Sequence, residues 1–271
     1  MSEIDYEAEY NNRARVPEHP AIIEGWARDA AAFRDSAVLE ADLAYGERPR
    51  NRLDVFFPSA GKTVDRLAVF IHGGYWQGLD HSFFSHLARG PLAHGVAVAV
   101  PTYTLCPEVR IGDIVEEMRL ACRFLRDRFH VPMAVSGHSA GGHLAATMLA
   151  TDWGADGPIV HAAQPISGLF DLAPLIPTSL NAALRLDEAE ARAQSPLFWP
   201  APVECRLHAW VGGEESNEFH CQSRDIVDVW GKASVDTGYF SLAGANHFTV
   251  IAPLADPDSD MTRDLVTLSA S

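Results

Sequence analysis

Ser139 stands in Gly137-His138-Ser139-Ala140-Gly141, directly after the apolar run Met133–Ser136 and at the head of the apolar stretch Ala140–Ala150. A serine at the apex of a strand-to-helix turn needs small neighbours, because the backbone reverses sharply there. The two glycines meet that need. The hydroxyl is then presented at the C-terminal edge of a sheet. The helix that follows adds positive potential where an oxyanion would form. This pattern is that of a nucleophilic serine in acyl transfer. A glycine-rich turn whose serine merely caps the helix shares the same spacing, so other groups elsewhere in the chain must decide.

His72-Gly73-Gly74-Tyr75-Trp76 follows a second apolar run, Leu67–Ile71. Acyl transfer needs backbone N–H groups aimed at the developing charge, and a Gly-Gly turn lets the chain approach a ligand closely. The expected oxyanion donors are the amides of Gly74, Tyr75 and Ala140. His72 is expected to hold the loop by side-chain hydrogen bonds. A base must come from the 12 histidines. His138 and His143 flank the serine, and His72 belongs to the glycine loop. His247 is better placed: it follows the run Tyr239–Leu242 and a Gly-Ala-Asn loop, and it is the last histidine, fitting the order serine, acid, histidine. The acid is expected after Arg206–Val211, in a loop that contains no Asp. Glu215 is preferred there and Glu214 competes with it. Asp171, after an earlier strand, is the remaining candidate. Glu218 is expected in the first turn of the next helix, where a carboxylate favours the dipole. Tyr75, Trp76, His138 and Phe248 are the expected substrate contacts, with the bulk of Tyr75 and Trp76 narrowing the acyl side.

These groups can meet only if strands and helices bring them to one edge. Leu67–Ile71, Val96–Val100 and Met133–Ser136 are continuous apolar runs of the kind buried on both faces of a sheet. Further strands are expected at Arg52–Phe57, Ala162–Ile166, Arg206–Val211 and Tyr239–Leu242. Apolar residues at helical spacing mark a helix over residues 111–130. Other helices are expected near Ala21–Phe33, Phe219–Trp230 and from Asp256 onward. This alternation predicts an α/β fold, a mostly parallel sheet with helices on both faces. Residues 1–50 read as polar and punctuated. The Pro-rich stretch 171–202 reads as a small cap inserted in a single domain spanning 1–271.

Composition excludes several function classes. Hydrophobic residues at 47% and charged residues at 21% exclude intrinsic disorder. A formal charge of −15 repels phosphate backbones and anionic bilayers, so neither nucleic acid nor membrane is an expected partner. Cys106, Cys122, Cys205 and Cys221 form no Cys-x-x-Cys, and no His-x-x-x-His occurs, so no metal, cofactor or redox pair is expected. The N-terminal stretch has neither a basic nor an apolar region of the secretory kind, and the expected location is cytoplasmic. A small molecule is the expected partner, with a homodimer as the candidate assembly.

Taken together, HGGYW, GHSAGGHLAA, SGLFDLAPL, ESNEFHCQS and NHF resemble the kynurenine formamidase (arylformamidase) family of the α/β-hydrolase fold, over about Leu53 to Leu254. The resemblance implies Ser139 as nucleophile, His247 as base and Glu215 as acid, where the family more often carries Asp. It further implies metal-independent hydrolysis of N-formyl-L-kynurenine to L-kynurenine and formate, in tryptophan catabolism. A short-chain carboxylesterase or thioesterase would use the same triad, and a non-catalytic binding protein could retain the fold. The pocket separates the first two, since the fold does not.

Overall fold

The computed structural model describes residues 4–58 and 64–270. The first three residues of the acidic N-terminal stretch, and the last residue of the chain, lie outside the described residues. The strands are β1 (Val38–Ala44), β2 (Arg52–Phe57), β3 (Leu67–Ile71), β4 (Ala97–Pro101), β5 (Met133–His138), β6 (Val160–Ile166), β7 (Arg206–Gly212) and β8 (Asp236–Leu242). The helices are α1 (Tyr6–Tyr10), α2 (Asn12–Arg15), α3 (His19–Arg34), α4 (Arg89–Ala93), α5 (Ile111–Phe129), α6 (Ala140–Leu149), α7 (Asn181–Leu184), α8 (Glu188–Ala193), α9 (Asn217–Lys232) and α10 (Asp260–Leu268).

The strands form one 8-stranded sheet in the order β1-β2-β4-β3-β5-β6-β7-β8. β2 runs antiparallel to both β1 and β4, and the remaining pairs are parallel. This is the α/β-hydrolase fold. Both faces of the sheet are covered, which is why its central strands are apolar without interruption. Leu67, Val69 and Ile71 of β3 face a core shared with α5, α6 and α9. Ala68 and Phe70 face a second core shared with α3 and α10. Helix α6 is buried along its whole length, as its all-round apolar sequence requires. Helix α5 instead buries one stripe, including Ile114, Met118 and Leu125, and turns Leu120 to solvent.

The register sets the functional edge. Ile71 of β3 pairs with Gly137 of β5, and His138 with Ile166 of β6. Ile166 pairs with Trp210 of β7, and Gly212 with Leu242 of β8. The C-terminal ends of these parallel strands therefore align. The loops carrying Gly74, Ser139, Ser167, Glu215 and His247 all leave from one side.

The structure departs from the sequence reading mainly at the margins. Residues 4–50 hold more than one helix: α1, α2 and the edge strand β1 join α3. β1 is mostly exposed, so it lacks the apolar signature of a buried strand. β8 begins at Asp236 rather than Tyr239, because an edge strand tolerates the polar Asp236 and Thr237. The last helix begins at Asp260, where the Ser259 hydroxyl accepts the Thr262 N–H at 3.1 Å and caps it. A short 3₁₀ turn, Ala252–Ala255, precedes it. Between β6 and β7 the Pro-rich stretch folds into α7, α8 and two 3₁₀ turns.

Candidate active site

The turn from β5 into α6 holds Ser139 at φ +57° and ψ −117°, a conformation L-residues rarely adopt. The surroundings impose it. The Ser139 N–H donates to the Ile166 carbonyl at 2.8 Å, and its own carbonyl accepts the His143 N–H at 3.1 Å. A Cβ on Gly141 would strike the Ile71 carbonyl oxygen, and one on Gly137 would strike the Gly141 carbonyl. Only glycine permits this close passage of β3, β5 and α6. Ala140 is the first residue of α6, so its N–H is among those that the helix leaves unpaired.

Opposite the serine, the loop after β3 runs through Gly74, Tyr75 and Trp76 in positive φ. A network beneath holds it there. His72 stacks on Tyr103 at a centroid distance of 4.3 Å and an interplanar angle of 6°. Its Nδ1–H donates to the Gly73 carbonyl at 2.8 Å, and its Nε2 accepts from Thr102 Oγ1 at 3.1 Å. Burial pushes this imidazole down to about 3, so it stays neutral and its tautomer is fixed by its partners. Arg50 clamps the far end of the loop through the Leu79 carbonyl at 2.6 Å. Among the described residues, the N–H groups of Gly74, Tyr75 and Ala140 have no acceptor.

The acidic loop after β7 separates its two glutamates. Glu214 is exposed, whereas the Glu215 side chain is buried. Glu215 folds back over its own turn. Its Oε1 accepts the Gly212 N–H at 2.7 Å and the Ser167 hydroxyl at 2.5 Å. Its Oε2 accepts the His247 Nδ1–H at 2.6 Å. The length of the Glu chain is taken up by this reversal, which is how a residue longer than Asp reaches the same imidazole. Asp171 lies elsewhere, its carboxylate accepting the Ala173 N–H at 3.0 Å. With Nδ1 protonated toward Glu215, His247 Nε2 is left as an acceptor. Ser139 and His247 line the same cavity, and no hydrogen bond joins their side chains. Such contacts commonly tighten only when substrate binds.

The cavity has a volume of about 420 Å³, within the range of about 300–1,000 Å³ usual for small-molecule sites. Gly74, Tyr75, His138, Ser139, His247 and Phe248 line its floor and walls. His138 is buried, and its Nε2–H donates to the His247 carbonyl at 2.8 Å. Burial, and secondarily the neighbouring His247, push its imidazole well below the ordinary range. His138 thus acts as a neutral brace for the His247 loop. His143 also braces, donating to the Gln194 carbonyl at 2.6 Å. The expectation for Trp76 is corrected. Its side chain is fully buried, edge-on to His143 at 5.1 Å, and does not line the cavity. The positive φ at Tyr75 and Trp76 sends successive side chains in different directions. Tyr75 faces the cavity while the indole enters the core.

Sequence reasoning missed much of the roof. Most of it is made by residues of α1, α2 and α3, including Glu7, Tyr10, Asn12, Arg13 and Trp26, while Thr178–Leu180 come from the 171–202 stretch expected as a cap. The Tyr75 hydroxyl donates to the Tyr10 carbonyl at 2.6 Å and accepts from Asn12 Nδ2 at 3.2 Å. Glu7 accepts the Ser179 N–H at 2.7 Å and its hydroxyl at 2.8 Å, joining the roof's two parts. No spacing in the sequence signals it. Ser167 was also missed, because its role depends on a contact with Glu215 across the sheet edge. Among the described residues no group of three His, Cys, Asp or Glu is placed to hold a metal ion, and no helix is long and apolar enough to cross a membrane.

Residues 53–158 match the protein family described as BD-FAE. A kynurenine formamidase from Danio rerio is 29% identical over 84% of this chain and 80% of its own length. One from Drosophila melanogaster is 30% identical over 82% of this chain and 79% of its own. Among solved structures, a thioesterase candidate from Silicibacter sp. tm1040 is 37% identical, with 99% of this chain and 100% of that one covered at a TM-score of 0.88.

Proposed function

The chain belongs to the kynurenine formamidase family, and from that premise we propose that it is a serine hydrolase cleaving N-formyl-L-kynurenine to L-kynurenine and formate. The observation carrying this reading is the hydrogen bond from His247 to Glu215 at 2.6 Å, with His247 and Ser139 lining one cavity. His247 Nε2 takes the Ser139 proton as Oγ attacks the formyl carbon. Glu215 stabilises the imidazolium that results. The carbonyl oxygen gains charge and is received by the N–H groups of Gly74, Tyr75 and Ala140, which are free for it. Collapse of the tetrahedral adduct breaks the C–N bond, and His247 returns its proton to the departing arylamine. A water then repeats the sequence on the formyl-Ser139 ester, giving formate. Every proton is carried by side chains of this chain, so the reading requires no cofactor. It places the reaction in the cytoplasm, which suits thiols that are all unpaired.

The thioesterase candidate at 37% identity favours a second reading, hydrolysis of short acyl esters or thioesters by the same groups. Assaying N-formyl-L-kynurenine against p-nitrophenyl acetate tests the choice. The formamidase reading expects the larger kcat/KM for the formamide. Fast ester cleavage with no formamide turnover would establish the second reading instead. Failure to label with a fluorophosphonate would reject both.

A further inference from the structure

We propose that the α1–α2 roof reads the leaving group by its charge, with Arg13 as the anchor for a carboxylate carried on the arylamine side. The inference rests on the hydrolase reading above and extends it to what selects the substrate. Among the residues lining the cavity, Arg13 is the one Lys or Arg and Glu7 the one carboxylate. Their situations differ. Glu7 is already committed to the Ser179 N–H and hydroxyl, which hold its carboxyl below the usual range. Arg13 has neither a hydrogen bond nor an ion pair from its side chain among the described residues, in a molecule with an excess of carboxylates. Many arginines of this chain find an acidic partner, Arg34 with Asp54 and Arg126 with Asp156 among them. A guanidinium left free at a cavity rim is therefore available to a ligand.

The rim is also held in place. Asn12 and Val16, on either side of Arg13, are buried, and Asn12 is bonded to the Tyr75 hydroxyl at 3.2 Å. Tyr10 is fully buried, its hydroxyl donating to Glu218 at 3.1 Å and accepting from Gln222 at 2.9 Å. Helix α2 thus presents Arg13 from a fixed backbone. A fork of N–H donors suits a carboxylate, which it can hold bidentately. Ser139 and the oxyanion donors occupy the floor, so an acid group meeting Arg13 belongs to the part of the substrate that leaves. The ligand class is an aryl formamide or ester bearing a carboxylate distal to the scissile bond.

The test compares wild type with Arg13→Lys, Arg13→Gln and Arg13→Glu on two formamides. One is N-formyl-L-kynurenine. The other is 2-formamidoacetophenone, the same formanilide without the amino-acid tail. The readout is the ratio of their kcat/KM values. It should fall about 5- to 50-fold in Arg13→Gln, through KM, less in Arg13→Lys and more in Arg13→Glu. Arg15→Gln, an exposed neighbour outside this cavity, removes the same charge and should move the ratio less than about twofold. A ratio unchanged by Arg13→Glu, or moved equally by Arg15→Gln, overturns the proposal. A second readout does not depend on formamide turnover: inhibition of p-nitrophenyl acetate hydrolysis by L-kynurenine against 2-aminoacetophenone. If neither formamide is cleaved, the formamidase reading fails. Arg13 is then judged by the ratio of these inhibition constants alone. A shift there of at least about fivefold toward the tail-less compound in Arg13→Gln supports the anchor, and no shift rejects it.

Discussion

Glu215 shows how much one residue's environment decides. Its carboxylate receives an N–H, a hydroxyl and an imidazole N–H within 2.7 Å, whereas adjacent Glu214 is exposed. Glu215→Gln should therefore lower kcat by about 10²- to 10⁴-fold, since an amide keeps the shape but cannot stabilise the imidazolium. Glu214→Gln should stay within about twofold. Steady-state kinetics on either substrate class checks this, and a more damaged Glu214 variant would reverse the assignment. Ser139→Ala should leave about 10⁻³ of the activity or less with an unchanged melting curve. We propose Ser167 as a positioning residue. Its hydroxyl fixes the Glu215 oxygen that does not face His247. Ser167→Ala should cost about 1.5–3 kcal/mol of transition-state stabilisation, the scale of a hydrogen bond to a charged group. That loss should appear in kcat with KM little changed. A rise in KM alone would show that Ser167 shapes the pocket instead.

At the level of elements, function depends on how closely β3, β5 and α6 pass. Gly141 lies against the Ile71 and His72 carbonyl oxygens, so Gly141→Ala must push strand from helix. Overpacking of this kind costs about 1–3 kcal/mol or more. A melting temperature lower by about 3–10 °C is expected for a chain of this size. An unchanged melt would mean that the turn relaxes freely. We propose that the loop after β3 sets acyl size. Tyr75 is pinned by Tyr10 and Asn12 and stands beside the expected oxyanion donors. A formyl group needs no room beyond its carbonyl. On one aryl leaving group, kcat/KM should fall at least about tenfold from formyl to acetyl and further to butyryl, after correction for intrinsic reactivity. Butyryl compounds reacting as well as formyl ones would favour the esterase reading.

For the whole molecule, buried neutral histidines tie stability to pH. Burial pushes His72 down to about 3 and His143 down to about 4. In the unfolded chain both titrate near about 6.5. Above that value they are neutral in both states and add no pH dependence. Below it the unfolded chain takes up protons that the folded one refuses, so stability falls with falling pH until the folded values are reached. Each contributes a slope of about 1.4 kcal/mol per pH unit in that window. Urea unfolding should thus show a steep loss between about pH 6 and pH 4.5. His143→Gln should flatten it by about one such increment. A flat profile over that range would show that these imidazoles are not held neutral.

Local order along the chain determined the strand–turn–helix around Ser139, the Gly-Gly loop after β3 and the alternation that makes an α/β-hydrolase sheet. Each is written in residues close in sequence: apolar runs of strand length, glycines where chain passes chain, and helical spacing over 111–130. The edges were less legible, because β1 and β8 are half solvated and their polar residues carry no strong period. Tertiary structure alone decided the rest. Glu215 rather than Glu214 meets His247 because a turn from Gly212 folds one side chain inward. Trp76 enters the core because positive φ redirects it. The roof closes over Ser139 because Tyr10 and Asn12 reach Tyr75, and Glu7 reaches Ser179, across long separations in the chain. Such contacts join residues whose local sequence has no reason to mention one another, so they exist only once the sheet has set their elements side by side.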